Sequence, residues 1–199
     1  MPDKYSSFTE LALAEPEAFA VTACDLRSAW VIAAPHGGSI EPGTSEIAQA
    51  LAGRDLSCYL FEGRKPQDNA TLHITSVNFD EPRGLGLLRS ARSVLTVHGE
   101  GSKTEIVYLG GLDEAAKARA WQALEGESFV VAEHAALPGR HPDNICNIGR
   151  SRAGLQVELS WGLRRTLFTS LRRADPHHPT PRLARFVAAV RGAILYQGI

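Results

Sequence analysis

Residues 29–46 read AWVIAAPHGGSIEPGTSE, and the fold is decided there. The apolar run 29–34 is short and uninterrupted, as expected of a buried strand. Thr44 to Ala52 follows as a helix, with Ile47, Ala48 and Leu51 on one face and Gly53 placed to end it. Between them lie His36, two glycines and Glu41. A strand, a polar glycine turn and a helix in that order are where open α/β sheets bind ligands. Gly37 and Gly38 are expected to reverse the chain sharply and return Glu41 beside His36, and an imidazole and a carboxylate from one tight turn can share a zinc ion.

Outward from this stretch, strands are expected at 18–23, 57–62, 71–75, 93–97, 104–109, 128–132 and 154–159. Helices are expected at 82–91, from Asp113 to Leu124, and after Thr180-Pro181, a suitable N-cap and first-turn pair. Residues 133–153, rich in Pro, Gly, Asn and Arg, form a long loop, and 175–181 a stiff linker in which the adjacent His177 and His178 cannot easily converge on one ion. The alternation predicts one α/β domain over residues 1–199, with a mixed, largely parallel sheet flanked by helices.

Composition narrows the function classes. The 199 residues are 44% hydrophobic and 22% charged, with no apolar run long enough for a membrane helix and no leader-like pattern in Met1-Pro2-Asp3-Lys4; a cytoplasmic location is the default. Cys24, Cys58 and Cys146 are too few and too scattered for a disulfide framework. The net charge of −1 is uneven. Up to residue 138 there are 11 Lys and Arg against 19 Asp and Glu; after it, 10 Arg face only Asp143, Glu158 and Asp175. These arginines are expected to pair with the acidic part, with polyanion or nucleic-acid binding by the basic third as the rival reading, weakened by the lack of an aromatic-basic motif.

Three further segments carry candidate chemistry. Residues 94–99 (VLTVHG) put His98 at a strand end before a glycine, as His36 is. Strand ends share a rim, so His36, Glu41 and His98 form a candidate zinc-ligand set with a fourth position left for water. In 154–159 (GLQVEL), Leu155, Val157 and Leu159 face one way, Gln156 and Glu158 the other. Glu158 is either a general base or the partner of an Arg such as Arg164. The loop 143–152 (DNICNIGRSR) offers Asn144, Asn147, Arg150 and Arg152 to a substrate carboxylate, and Arg64 and Lys65 are further cationic candidates. His73, between Leu72 and Ile74, is read as a substrate contact or as a structural histidine. A cysteine hydrolase built on Cys146 and His141 lacks a third orienting group, and no G-x-S-x-G elbow is present.

Taken together, PHGGSIEPGTSE, FEGRKPQDNATLHITSVNFDEP, LTVHG and NICNIGRSRAGLQVELS, spread over residues 31–161, resemble the poly-γ-glutamate hydrolase family of phages and bacteria. The resemblance implies a fold like the zinc carboxypeptidases, one zinc on His36, Glu41 and His98, a catalytic carboxylate at Glu158, and cleavage of γ-glutamyl amide bonds in an anionic polymer or peptide. Four residues separate His36 from Glu41 where zinc carboxypeptidases usually have two. An Arg common after Asn147 in the family is replaced by Ile148, and Arg150 or Arg152 is expected to take over its role.

Overall fold

The computed structural model describes residues 3–175 and 177–196. Met1, Pro2 and Pro176 of the linker lie outside the described residues. The strands are β1 (Phe19–Cys24), β2 (Trp30–Gly38), β3 (Ser57–Gly63), β4 (Ser93–Glu100), β5 (Val107–Gly111), β6 (Val131–Ala132) and β7 (Leu155–Ser160). The helices are α1 (Phe8–Ala14), α2 (Thr44–Ala52), α3 (Pro82–Ser90), α4 (Glu114–Gly126), α5 (Trp161–Leu167) and α6 (Pro181–Ile194).

All seven strands form one sheet in the order β1-β3-β2-β4-β7-β5-β6. Its centre, β3-β2-β4-β7, is parallel; β1 and β5 run antiparallel to their inner neighbours. This is the mixed, largely parallel sheet expected, covered on both faces. One face carries Ile32, Leu95 and Val157 under α2, α4, α5 and α6. The other carries Val31, Tyr59 and Val94 under α1 and α3. Burial on both sides explains why the central strands read as unbroken apolar runs. Among the described residues no helix is long and apolar enough to cross a membrane.

Several expectations are corrected. Residues 71–75 are not a strand; a 3-10 turn, Asn69–Leu72, leads into an irregular segment. The strand expected at 128–132 shrinks to two residues, and that at 104–109 starts at Val107. Gly37 does not reverse the chain: β2 runs on through Gly38, and the turn comes at residues 39–43, where the Glu41 amide donates to His36 O at 2.9 Å. Gly37 is instead needed for close packing, since a Cβ there would lie 2.2 Å from Ser45 Oγ.

The detail that shapes the site is a bulge in β2. Ala34 pairs with Leu60 and Gly37 with Glu62, so β2 takes three steps where β3 takes two. Val31 and Ala33 face the α1/α3 side, and strict alternation would send Pro35 there next. The extra residue puts His36 in that place instead, a common use of bulges beside functional sites.

Candidate metal centre and active site

The parallel strands β2, β4 and β7 end on one rim, and the candidate residues project from it. His98 on β4 and Glu158 on β7 are register partners, so their side chains leave the same face side by side. His36 arrives from the bulge and Glu41 from the turn behind it. The His36 Nε2–H donates to Ile74 O at 2.9 Å, so in neutral His36 the Nδ1 atom carries a lone pair. That lone pair faces Glu41 Oε1 at 3.2 Å and His98 Nδ1 at 3.2 Å. The other Glu41 oxygen accepts the Gly99 N–H at 2.7 Å, which fixes the carboxylate. Three electron-rich atoms converge, all within 4.8 Å of one another. A proton shared between them, or a metal ion, can occupy the point where they meet. Zinc bonds of about 2.1 Å at tetrahedral angles separate neighbouring donors by about 3.4 Å, so the donor set fits the ion.

The electrostatics agree. Burial and the neighbouring His36 push His98 down to about 3, leaving it neutral. Burial opposes charge on His36 and Glu41 as well, but their mutual attraction prevails: His36 is raised and Glu41 lowered. Glu158 shows the reverse. Burial, with Glu41 and Glu100 nearby, lifts its carboxyl well above the ordinary range, and its Oε1 accepts one hydrogen bond, from Gln156 Nε2 at 3.1 Å.

These groups line a cavity of about 630 Å³ shared with His73, Asn144 and Arg140. The His73 ring lies 4.0 Å from that of His36, centroid to centroid, and its Nδ1–H donates to Asp3 Oδ1 at 2.7 Å. Burial and His36 hold its pKa down against the pull of Asp3. Perturbed titratable groups converging in a cleft with a metal-ready corner are the physical marks of an active site.

Residues 5–189 match the profile of the family described as poly-gamma-glutamate hydrolase. The chain belongs to that family. The SPbeta prophage-derived protein YoqZ of Bacillus subtilis (strain 168) is 37% identical over 172 residues, 84% of this chain and 62% of YoqZ, so the chain spans less than two thirds of that relative. A solved bacteriophage poly-gamma-glutamate hydrolase superposes with a TM-score of 0.94 at 26% identity, covering 98% of this chain and 97% of its own. Zinc-free YndL, a protein of Bacillus subtilis (strain 168), superposes at 0.93 with 32% identity and 98% of both chains covered.

Not every candidate residue of this hydrolase-family chain reaches the cavity. Arg150 and Arg152 are exposed, and the amides of Arg150 and Ser151 donate to Ala91 O and Arg92 O, just before β4 begins. Ser93 and His98 are five strand residues apart, about 16 Å, so these arginines stand by the opposite end of the central strands. Arg64 is exposed beside Glu62, and Lys65 is tied to Glu15 Oε2 at 2.6 Å; neither lines the cavity. Asn147 is fully buried and spends its amide on four backbone groups: Gly139 O, His141 O, Leu112 N–H and Gly154 N–H. Asn144 lines the cavity while holding Gln156 Oε1 at 3.0 Å.

Arg164 is not the partner of Glu158. It donates to Leu159 O, Pro42 O and Glu100 O, clamping the Glu41 turn to the ends of β4 and β7. Gly99 has no side chain because the Arg164 guanidinium carbon lies 2.6 Å from where its Cβ would be. Cys146 is buried, its thiol pushed up to about 12 by that burial, with Sγ on Gly139 O, so it is no nucleophile. Of the ten C-terminal arginines, only Arg140, Arg182 and Arg191 have acidic partners among the described residues; the expected general pairing does not occur. His177 turns to Glu46 at 2.5 Å.

Proposed function

We propose that this chain is a zinc-dependent amidohydrolase that cleaves γ-glutamyl bonds in an anionic polymer or peptide. The observation that carries this reading is the convergence of the His36 and His98 Nδ1 atoms and a Glu41 oxygen on one point, beside Glu158, in a chain of this family. His36, Glu41 and His98 would hold the zinc, which would supply Lewis acidity to activate water near neutral pH and polarise an amide carbonyl.

The protein's own groups do the rest. Glu158 takes the proton from the attacking water and returns it to the departing amine. Its raised pKa suits the second task, and the charged form needed for the first would be favoured with a dication bound nearby. Gln156 holds Glu158 from one side by donating to Oε1. Arg164 and the Gly99 amide keep Glu41 in place. His73, oriented by Asp3, closes the wall beside His36.

The test pairs elemental mass spectrometry of the purified protein with poly-γ-glutamate digestion followed by size and by release of free amines. The expected result is about one zinc per chain, with cleavage abolished by a chelator and restored by zinc. Cleavage that persists in excess chelator, or a protein that takes up no zinc, overturns the reading.

A further inference from the structure

The cavity contains three carboxylates, those of Glu41, Glu100 and Glu158. A substrate with a carboxylate on every repeating unit needs a fixed cation on the wall, and Arg140 is the only Lys or Arg among the described residues that line it. Arg150 and Arg152, which the sequence favoured for this task, stand by the other end of the central strands.

The backbone around Arg140 is a built mount. The loop has no regular structure, yet consecutive carbonyls are taken up from within. Gln156 Nε2 donates to Leu137 O at 3.1 Å, and the Gly111 amide to Pro138 O at 2.9 Å. Asn147 Nδ2 donates to Gly139 O at 2.8 Å and to His141 O at 2.9 Å. A single buried amide therefore grips the residues on both sides of Arg140. Gly139 adopts φ +62°, and a Cβ there would press on Gln156. Buried polar groups that hold an irregular loop so fully are costly to arrange unless the loop has work to do.

The side chain itself remains accessible. Arg140 is half exposed, and among the described residues only its Nη2 is engaged, with Glu114 Oε1 at 3.0 Å and Glu133 Oε1 at 3.8 Å. Lys117 Nζ meets the same two glutamates, each at 2.8 Å. They steady the guanidinium while Lys117 balances part of their charge, and the remaining donors of the fork suit a carboxylate.

We propose that Arg140 is the substrate-binding residue that recognises the α-carboxylate of a glutamyl unit next to the bond to be cut, and that Asn147 positions it. The assignment rests on the γ-glutamyl amidohydrolase reading above. Both units flanking the scissile amide carry such a carboxylate, so the experiment blocks each in turn.

The experiment uses zinc-loaded wild type, Arg140→Ala and Arg140→Lys. Substrates are short γ-linked glutamyl oligomers, unmodified or with the α-carboxylate amidated on the acyl-side or the amine-side unit. In wild type, amidation on the side that Arg140 reads raises KM. In Arg140→Ala, KM for the unmodified oligomer rises about tenfold or more with kcat nearly unchanged, and discrimination against that amidated substrate disappears. Arg140→Lys recovers part of both. A wild type that cleaves the oligomers while Arg140→Ala keeps the same KM and discrimination overturns the assignment and leaves the hydrolase reading standing. A wild type that cleaves none of them brings down that reading and the assignment together.

Discussion

The cavity has two walls built by different means. The candidate metal corner is set by strand pairing: His36 and His98 sit at the ends of neighbouring parallel strands, and Glu41 lies in the turn that leaves the first of them. The wall formed by residues 133–154 is set by side chains: its one regular piece is a 3-10 turn at Ile145–Asn147, and its shape comes from Asn144, Asn147 and Gln156 reaching across to backbone carbonyls and to one another. Sheet geometry positions ligands with little help from particular neighbours. An irregular wall has to be held by side chains whose only visible property in the sequence is that they are polar. On the proposed reading, chemistry belongs to the sheet and recognition to the loop.

Substitutions that separate the two walls should differ in kind as well as size. The largest effect is expected from His98→Ala: loss of zinc and a fall in activity of at least about 10⁴-fold, because even outer-shell changes around a metal cost about 10- to 100-fold. Metal content and digestion rate measured on one preparation check it; full activity without bound zinc would dissolve the distinction between the walls. Glu158→Gln comes next. It should keep the zinc and lose about 10²- to 10⁴-fold in kcat, the usual worth of a positioned acid–base group. Loss of zinc together with activity would instead make Glu158 part of the metal corner.

The loop wall should fail differently. Asn147→Ala leaves Gly139 O, His141 O and two buried amides without their partner, at a cost of about 3 kcal/mol. For a chain of this size that lowers Tm by roughly 6–12 °C. If Asn147 also positions Arg140, its KM rises with little change in kcat. The double variant Asn147→Ala/Arg140→Ala should then be no worse in KM than Arg140→Ala alone, whereas independent roles would add. Thermal scans and a kinetic double-mutant cycle decide between these outcomes.

Much of the metal corner was legible because its residues announce themselves locally. An apolar run ending in His-Gly, found twice, placed His36 and His98 on strand ends, and Glu41 followed within one turn. The register of β4 and β7 then set Glu158 beside His98, in keeping with the alternation of Leu155, Val157 and Leu159. The bulge that turns His36 to the cavity face was not legible, since it is a property of the pairing of β2 with β3 and not of β2 alone. Residues 71–75 show a strand-like alternation of burial but have no strand to pair with. Helix α1 carried a readable signal, Ser7 three residues before Glu10, with the Ser7 hydroxyl capping the Glu10 amide; α5 is likewise capped by Ser160. Arg140 and Arg164 gave no such sign, because a guanidinium looks the same in a sequence whether it lines a cavity, clamps a turn or faces solvent.

The smallest expected effect comes from the metal-free protein and probes the corner from its electrostatic side. Glu158 titrates near 4.5 when unconstrained, and burial beside Glu41 and Glu100 lifts it well above that value in the fold. Between the two values the folded chain keeps a proton that the unfolded chain has released. Stability therefore falls as pH rises through that window, and below 4.5 the penalty is absent. Glutamine never ionises, so metal-free Glu158→Gln should melt above metal-free wild type at pH 7–8, by about 2–4 °C for each kcal/mol relieved, and should converge with it near pH 4. Zinc should narrow the gap at high pH, since a dication in the corner favours the charged carboxylate of the wild type and offers the amide no such gain. Thermal scans of both proteins from pH 4 to 8, with and without zinc, measure the gap directly. Parallel curves in the metal-free series would mean that Glu158 is well solvated, and its place as the buried proton carrier beside His98 would have to be given up.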